Sequence, residues 1–516
     1  MKVTNPKLLK WQRQRPAEER KQLDSRIHTI KRKAAALACL FLFASSVIKT
    51  SAQEWAFDPT TQKAYAQVLA LHVDEAHALI PQPQTPQDHY VTALAEAVEL
   101  LITEDGARYT EYEDRFEKRL ERRTRLNTPD DLFLQAEIRM QWAFIYFKFG
   151  HEFDAALNLR QAYLTTEEIK QRFPAFQAIK KTSALLDVIF GSVPEKYEWI
   201  LSLLNIRGSI ETGLEELQSI RTSGHPLSLE ADVLYALIQG FVLQHADIGV
   251  SVMDKILAQY PENRLALFMG ASLAIKNSQS EKALTLLTRI NQAEQGLPLY
   301  YADYLKGEVY LHKAEYLNAI TAYGLFVNHY KGQNFIKDAN YKIGLSYWLN
   351  GNVNDADDAF ELARNLGKET AEADKYAARS LAESELPHIK LTKARYYTDG
   401  GYYDEARKIF SAIRPEEIPT ARDQVEFYYR MARLDHKVGN LDSAKHAYKK
   451  VIEMNDHTTW YFAPNACLQM GYILVLEHNT KLAESYFEQA LSYKKHEYKN
   501  SIDAKAKSAL AQLRRR

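Results

Sequence analysis

The stretch that decides the fold reads NYKIGLSYWLNG over residues 340–351 and NVNDADDAFELA over residues 352–363. In its first half, small and apolar residues share one face of a helix at i, i+1 and i+4; they are Ile343, Gly344 and Tyr347. Gly351 follows Asn350, and both residue types tolerate the left-handed conformation that ends a helix. The first half therefore predicts a short helix that is closed by a turn.

The second half predicts another helix, because Ala356, Phe360 and Ala363 recur at i, i+4 and i+7. Gly344 and Ala356 are small enough to let the two backbones approach closely. We expect the aromatic rings of Tyr347 and Phe360 to fill the space on either side of that crossing. The whole stretch therefore predicts an antiparallel helical hairpin.

This hairpin resembles the tetratricopeptide repeat, a helix–turn–helix unit of about 34 residues. The positions at the family's offsets are Gly344, Tyr347, Gly351, Ala356, Phe360 and Ala363. The same first-helix anchor recurs at Gly307, Gly344, Ala394, Ala432 and Gly471, and an earlier one is Ala143. The gaps from 307 to 471 are 37, 50, 38 and 39 residues, so we expect the extra residues to lengthen helices or loops.

The length of 516 residues suits such an array. Single cores stop growing at roughly 250–300 residues, whereas stacked repeats touch only their neighbours and escape that limit. The resemblance implies an all-α, right-handed helical-hairpin solenoid. We divide the chain into a basic segment with a signal peptide or anchor (1–52), an N-terminal helical region (53–135), degenerate repeats (136–295), tetratricopeptide repeats (296–491) and a C-terminal capping helix (492–516).

The formal net charge is zero, but it is distributed unevenly. Residues 1–33 hold eleven Lys and Arg against three Asp and Glu, which leaves a net charge of −8 for the remaining residues. A nucleic-acid-binding body would need a basic face, so this balance argues against nucleic acid as a partner.

The N-terminus has the pattern of a secretory signal. Lys31-Arg32-Lys33 precedes an uncharged, mostly apolar run over residues 34–48, and Thr50-Ser51-Ala52 follows as a small-residue cleavage site. At fifteen residues the run is short for a membrane span of about 20 residues. We expect export and cleavage after Ala52; the alternative is an uncleaved anchor that keeps residues 34–48 in a membrane. Cys39 is interpreted as an apolar residue of this run.

Motifs of catalysis are missing from the sequence: it has no Gly-x-Ser-x-Gly, no phosphate-binding Gly-rich loop with Lys and no Cys-x-x-Cys. His72 and His77 lie about 140° apart around a helix, so they cannot share a ligand face. Cys467 stands at an apolar helical position and is interpreted as a small core residue. We therefore expect no enzyme activity, no metal and no cofactor.

The resemblance implies that the protein binds a partner in a concave groove, which the first helix of each repeat lines. The family's groove positions fall on Tyr304, Glu308, His312, Tyr341, Leu345, Trp348, Leu391, Arg395, Tyr429, Arg433, His436, Leu468 and Tyr472. We select Tyr304, Glu308, Tyr341, Trp348, Arg395, Tyr429, Arg433 and Tyr472 as the partner-binding set. The alternative for each tyrosine is that it packs against a neighbouring repeat. The Lys and Asn that chaperone-binding members use for a C-terminal carboxylate are replaced by Tyr and Leu.

The resulting hypothesis is a non-enzymatic scaffold or adaptor that binds a partner protein or peptide in the bacterial cell envelope or periplasm. The stretches WYFAP (460–464) and HEYKNSID (496–503) are similar to the C-terminal part of exported bacterial tetratricopeptide proteins. Two alternatives remain open. One is a carrier of lipid or glycan, which would need a deep apolar or aromatic tunnel, and the other is an enzyme with a site hidden in residues 58–130.

Overall fold

The computed structural model describes residues 54–123, 127–193, 206–292, 295–383, 386–454 and 459–514. Within these ranges the secondary structure consists of 24 α-helices, one π-helical and one 3-10 segment, and no strand. The all-α prediction is confirmed. The predicted signal, residues 34–52, lies outside the described residues.

The first nine helices precede the regular repeats. They are α1 Pro59–Leu69, α2 Val73–Leu79, α3 Pro86–Thr103, α4 Gly106–Arg123, α5 Pro129–Phe149, α6 Glu152–Arg172, α7 Ile179–Gly191, α8 Ile210–Arg221 and α9 Ser228–Leu237, which a π-helical turn, Ile238–Val242, extends. Three of them begin as the sequence dictates, with Pro at the first helical position and a capping side chain just before it. Asp58, Thr85 and Thr128 supply these caps.

Paired helices follow through to the C-terminus. They are α10 Ala246–Gln259, α11 Arg264–Lys276, α12 Ser280–Gln292, α13 Tyr300–His312, α14 Tyr316–His329, α15 Ile336–Asn350, α16 Val353–Asn365, α17 Glu372–Ala382, α18 Ile389–Gly400, α19 Tyr403–Ser411, α20 Ala421–Lys437, α21 Leu441–Met454, α22 Phe462–Leu476, α23 Thr480–Ser492 and α24 Lys499–Arg514. A 3-10 turn, Pro415–Glu417, precedes α20. Each hairpin packs on the next, which is the progressive stacking that a solenoid requires.

The hairpin crossing has the predicted form. Gly344 in α15 faces Phe360 in α16 so closely that a Cβ at position 344 would lie 2.6 Å from Cδ1 of the ring. The same glycine–aromatic contact recurs in the hairpins α13–α14 and α22–α23, at Gly307 with Tyr323 and at Gly471 with Phe487. Gly351 ends α15 with a φ of 89°, as expected for a left-handed helix cap.

The longest gap between first-helix anchors, from Gly344 to Ala394, does not come from longer helices or loops. The 50 residues from Gly344 to Ala394 contain an additional helix, α17, so the prediction of longer helices or loops is wrong there. Ala377 of α17 is fully buried and Tyr376 packs against the core. Helix α17 packs on α15, and α13 contacts α18 directly. The inserted helix therefore changes the path of the solenoid.

The charged helix α4 packs one face against the protein. Tyr112 and Phe116 on its inner face are buried. Arg115 and Arg119 pair with Glu96 of α3, with an Arg119 Nη2 to Glu96 Oε1 distance of 2.8 Å. The carboxylate of Glu96 is 2% exposed, so these arginines hold α4 against a buried charge.

A second buried charge sits among helices α3, α5, α7 and α9. The ammonium group of Lys181 donates to Glu137 Oε2 at 2.7 Å and to Glu230 Oε1 at 2.6 Å, and the hydroxyl of Tyr90 donates to Glu230 at 2.6 Å. Lys181 is almost completely buried, and its charge is stabilised by these two carboxylates.

Two sets of contacts join parts of the chain that are far apart in sequence. The carboxylate of Glu104 accepts hydrogen bonds from the backbone N–H of Gln333 at 2.8 Å, from the side-chain amide of Asn334 at 2.9 Å and from the hydroxyl of Tyr330 at 2.8 Å. In the second set, the Tyr402 hydroxyl donates to Glu281 Oε1 at 2.8 Å across 121 residues of sequence. The solenoid therefore folds back on itself as well as stacking locally.

Within the described residues, no helix combines the length and apolar character needed to cross a membrane.

Candidate functional site

A cavity of 1410 Å³ runs along the inner side of the C-terminal hairpins. Its walls come from the first helices α13, α15, α18, α20 and α22, from the inserted helix α17 and from the C-terminal helix α24. Residues 242–247 and the end of α11 complete them. Of the described residues that line it, none lies on the second helices α14, α16, α19, α21 or α23. The cavity is therefore the concave groove of the array, made deeper by α17 and α24.

Six of the eight selected residues line this cavity: Glu308, Tyr341, Arg395, Tyr429, Arg433 and Tyr472. His312, Leu345 and His436, which share the family's groove positions, also line it. Their role in binding stays a prediction. Tyr341 and Tyr429 are buried among core residues and present only part of their surface to the cavity, so packing and lining are combined in the same side chains.

The structure places the other two selected residues elsewhere. Tyr304 is 4% exposed, and its hydroxyl donates to Asp338 at 2.6 Å inside the protein. Trp348 donates its indole N–H to the Pro387 carbonyl at 3.2 Å. The inserted helix α17 packs on α15 and supplies part of the cavity wall, so the inward-facing residues differ from the family's groove positions. Leu391 and Leu468 are buried and do not line the cavity either.

One wall of the cavity contains a charged lysine that is paired with carboxylates. The Lys342 ammonium group lies 2.6 Å from Glu308 Oε1 and 2.8 Å from Asp338 Oδ2, and it donates to the Tyr304 hydroxyl at 2.9 Å. Burial opposes the charge, but the two carboxylates outweigh it and raise the pKa of Lys342. Lys342 thus pairs with two carboxylates of its own protein.

A second wall is built around Arg395. Its guanidinium donates to the Tyr376 hydroxyl at 3.1 Å and lies 3.6 Å from Asp399 Oδ2. Burial tends to raise the pKa of Asp399, but Arg395 and then Arg433 lower it below its ordinary value. Asp399 is therefore ionised; it pairs with Arg395, and Arg433 acts on it from beyond ion-pair distance.

Two further arginines along the cavity have carboxylate partners. Arg430 donates to Glu426 Oε1 at 2.8 Å and to the Tyr461 hydroxyl at 2.9 Å. Arg422 donates to Glu497 Oε1 at 3.0 Å and so connects α20 to the turn before α24. These pairs stiffen the walls and balance the charges of Arg430 and Arg422.

Of the nine Lys and Arg residues that line the cavity, sequence reasoning found two, Arg395 and Arg433. Among the seven that it missed are Lys276, Lys437 and Lys505. Lys437 follows Arg433 by one helical turn, at i+4, so extending the groove by a turn would have found it. Lys276 and Lys505 come from helices outside the clear repeats. Their approach depends on the curvature of the array, which no local pattern encodes.

Other candidate residues behave as structural groups. Cys467 is buried, as predicted, and burial raises the pKa of its thiol to about 12, so the thiol is protonated at neutral pH. Among the described residues, no three His, Cys, Asp or Glu side chains come together in a way that could hold a metal ion.

Stacked hairpins with a concave interior and glycine–aromatic crossings define a tetratricopeptide-repeat solenoid. Proteins of this class present extended concave surfaces for binding other molecules, and the fold is generally non-enzymatic. The family model of the tetratricopeptide repeat matches residues 425–458, which include most of α20 and α21.

Solved structures with a similar arrangement include a monomeric mutant of IFIT1 with Gppp-AAAA and the human IFIT1 dimer with m7Gppp-AAAA. Both are 14% identical to this chain; each match covers 84% of this chain and 95% of the other, and the TM-scores are 0.34 and 0.33. No curated protein matches the sequence significantly.

Proposed function

We propose that this protein is a non-enzymatic scaffold that holds a segment of a partner protein in the cavity between α13 and α24. The supporting observation is the cavity itself, which is built from the first helices at the positions where the repeat family binds its partners. Its residues combine aromatic rings with charged and amide side chains, and this combination suits a peptide backbone with mixed side chains.

The size and character of the cavity favour a peptide over the alternative ligands. Pockets for small molecules hold about 300–1,000 Å³, whereas this one holds 1410 Å³. Charged side chains stand along every wall, from Glu308 at one side to Lys505 at the other. A lipid chain would remove the water from these charges without replacing it, which is costly. A lipid carrier is therefore a weaker hypothesis than a peptide-binding scaffold.

The cellular place of this scaffold is proposed from the N-terminal sequence. A basic segment, an uncharged run over residues 34–48 and a small-residue site ending at Ala52 favour export to the cell envelope. Fractionation of cells that express the full chain, with mass spectrometry of its N-terminus, tests this part. Recovery of the chain in the cytoplasm with an intact N-terminus contradicts export.

Site-specific photo-crosslinking tests binding in the cavity. Gln469 of α22 lines the cavity and donates a hydrogen bond to Asn465, one helical turn away, so p-benzoylphenylalanine can replace it at small cost. The control is the same substitution at Lys449, which is exposed on α21 and lies outside the cavity. We expect a discrete crosslinked partner from position 469 and none from position 449. Crosslinking that is equal at both positions, or stronger at 449, would refute the assignment.

A further inference from the structure

Four basic side chains line the cavity: Lys276 from α11, Arg433 and Lys437 one helical turn apart on α20, and Lys505 from α24. Lys276 and Lys437 are exposed, and Arg433 and Lys505 are partly exposed, so the charged groups reach the water of the cavity. Helices from three separate parts of the chain thus bring positive charge to the same place.

These four charges lack carboxylate partners. The cavity lining contains nine Lys and Arg residues, of which four pair with carboxylates as described above and Arg379 lies over the ring of Tyr498. For the remaining four, no carboxylate oxygen of the described residues lies within ion-pair distance. Asp399 is the acidic group that faces them, and it already pairs with Arg395.

The charges of these four groups act on one another and on their neighbours. Burial among protein atoms, and then the positive charges of Lys276 and Arg433, lower the pKa of Lys505 to about 8. Burial and the charges of Arg433 and Lys437 likewise lower the pKa of His436 to about 4. Each result reflects a positive potential that the protein leaves uncompensated at this end of the cavity.

The rest of the lining restricts the kind of anion that fits. Nine Asp and Glu residues line the cavity besides the nine Lys and Arg. A polyphosphate chain carries a charge at every unit and would meet these carboxylates wherever it leaves the basic end. A peptide can carry its negative charges over a short stretch and be neutral elsewhere. The distribution therefore favours a locally acidic peptide.

We propose that the partner segment in the cavity carries a cluster of Asp or Glu side chains, and that these carboxylates bind to Lys276, Arg433, Lys437 and Lys505. This proposal rests on the function proposed above, since it assigns a chemistry to the same site. It also predicts the polarity of the bound segment, with its acidic part beside α11 and α24 and its neutral part beside α15 and α17.

Fluorescence anisotropy on the full chain tests the proposal. The probes are a short fluorescein-labelled peptide of alternating Glu and Gly, its Gln–Gly counterpart, tripolyphosphate as a competitor, and a single-stranded RNA oligonucleotide. The test variant is Lys437→Gln/Lys505→Gln. Its control is Lys408→Gln/Lys449→Gln, which removes the same charge from exposed positions outside the cavity. Circular dichroism establishes that both variants are folded.

The Glu–Gly peptide should bind the wild-type chain, and the Gln–Gly peptide should not. Two partly solvated charge contacts are together worth roughly a tenfold change in Kd, so we expect about that loss in the cavity variant. The control should stay within about twofold, because salt screens charges beyond about 8 Å at physiological ionic strength. Raising the salt concentration should weaken binding of the peptide to the wild type.

Three results would overturn the proposal: no binding of the acidic peptide, an equal loss in the two variants, or tighter binding of the RNA or tripolyphosphate with the same dependence on Lys437 and Lys505. The photo-crosslink separates this proposal from the function on which it rests. A crosslink from position 469 whose yield is undiminished in Lys437→Gln/Lys505→Gln refutes the acidic anchor alone. Absence of that crosslink in the wild type refutes binding in the cavity.

Discussion

Substitution of Gly344 by alanine measures how much the close hairpin crossing matters. A Cβ at position 344 would lie 2.6 Å from Cδ1 and 2.7 Å from Cε1 of Phe360. The Phe360 ring is 2% exposed and packs against Tyr341 at a centroid distance of 5.7 Å, so it has little room to move. Overpacking of this kind costs about 1–3 kcal/mol.

Alanine also gains about 1 kcal/mol over glycine inside a helix, which offsets part of that cost. The net expectation for Gly344→Ala is a loss of about 1 kcal/mol. Gly324 in α14 is a matched control because a Cβ there would meet nothing within 4 Å. Gly324→Ala should keep the helix gain and be more stable than the wild type. The difference between the variants, about 1–3 kcal/mol, isolates the steric term.

Urea denaturation followed by circular dichroism measures both variants against the wild type. The same substitution in a Phe360→Leu background should lose its penalty, because a smaller, flexible side chain can make room for the methyl group. If Gly344→Ala and Gly324→Ala shift the midpoint in the same direction by the same amount, the crossing is not as tight as the structure indicates.

Three further predictions follow from buried or cavity charges. Lys181→Met should cost about 3–5 kcal/mol, because it removes the cation that pairs with the buried carboxylate of Glu137 and the partly buried one of Glu230. Lys180→Met next to it should change the free energy of unfolding by less than about 1 kcal/mol, and denaturation curves compare the two. Glu104→Gln should cost about 2 kcal/mol at pH 7. Burial opposes the charge of Glu104, but Lys148 and the hydrogen bonds lower its pKa below the ordinary value of 4.5. The stability that this carboxylate contributes is therefore present above that pH and is lost as the pH falls through the pKa of the folded protein. The difference in unfolding free energy between wild type and Glu104→Gln should close there, and a constant difference would contradict this account. Binding of the Glu–Gly peptide should weaken as the pH rises through about 8, where Lys505 loses its proton, and Lys505→Gln should remove that dependence in anisotropy titrations.

The hairpins could be predicted from the sequence because their determinants are local. Gly344 and Phe360 lie sixteen residues apart, and the same spacing of a small residue and a ring recurs in the neighbouring repeats. Helix α17 was missed although Tyr376, Ala377 and Leu381 lie on one helical face, because it carries none of the repeat's anchors. A search for repeats alone therefore does not find an element inserted between them.

The site was predicted less completely than the fold, for a physical reason. A residue lines the cavity only if its helix turns that face inward, and the turn depends on how each hairpin packs on the next. Arg395 and Tyr429 follow the family's geometry, whereas Tyr304 is drawn into the core by its hydrogen bond to Asp338. Lys276 and Lys505 are 229 residues apart, so only the curvature of the whole array brings them together.

The contact between the α18–α19 and α11–α12 turns has a mechanical consequence. Gly401 lies so near Ser278 that a Cβ would be 2.1 Å from the Ser278 carbonyl oxygen, and the Tyr402–Glu281 hydrogen bond lies beside it. An open array of repeats lengthens under tension like a spring, since each unit yields a little. Here the two turns connect hairpins that are far apart in sequence, so a force applied to the two ends of the chain acts on this contact first. Single-molecule stretching should record a distinct rupture before any gradual extension.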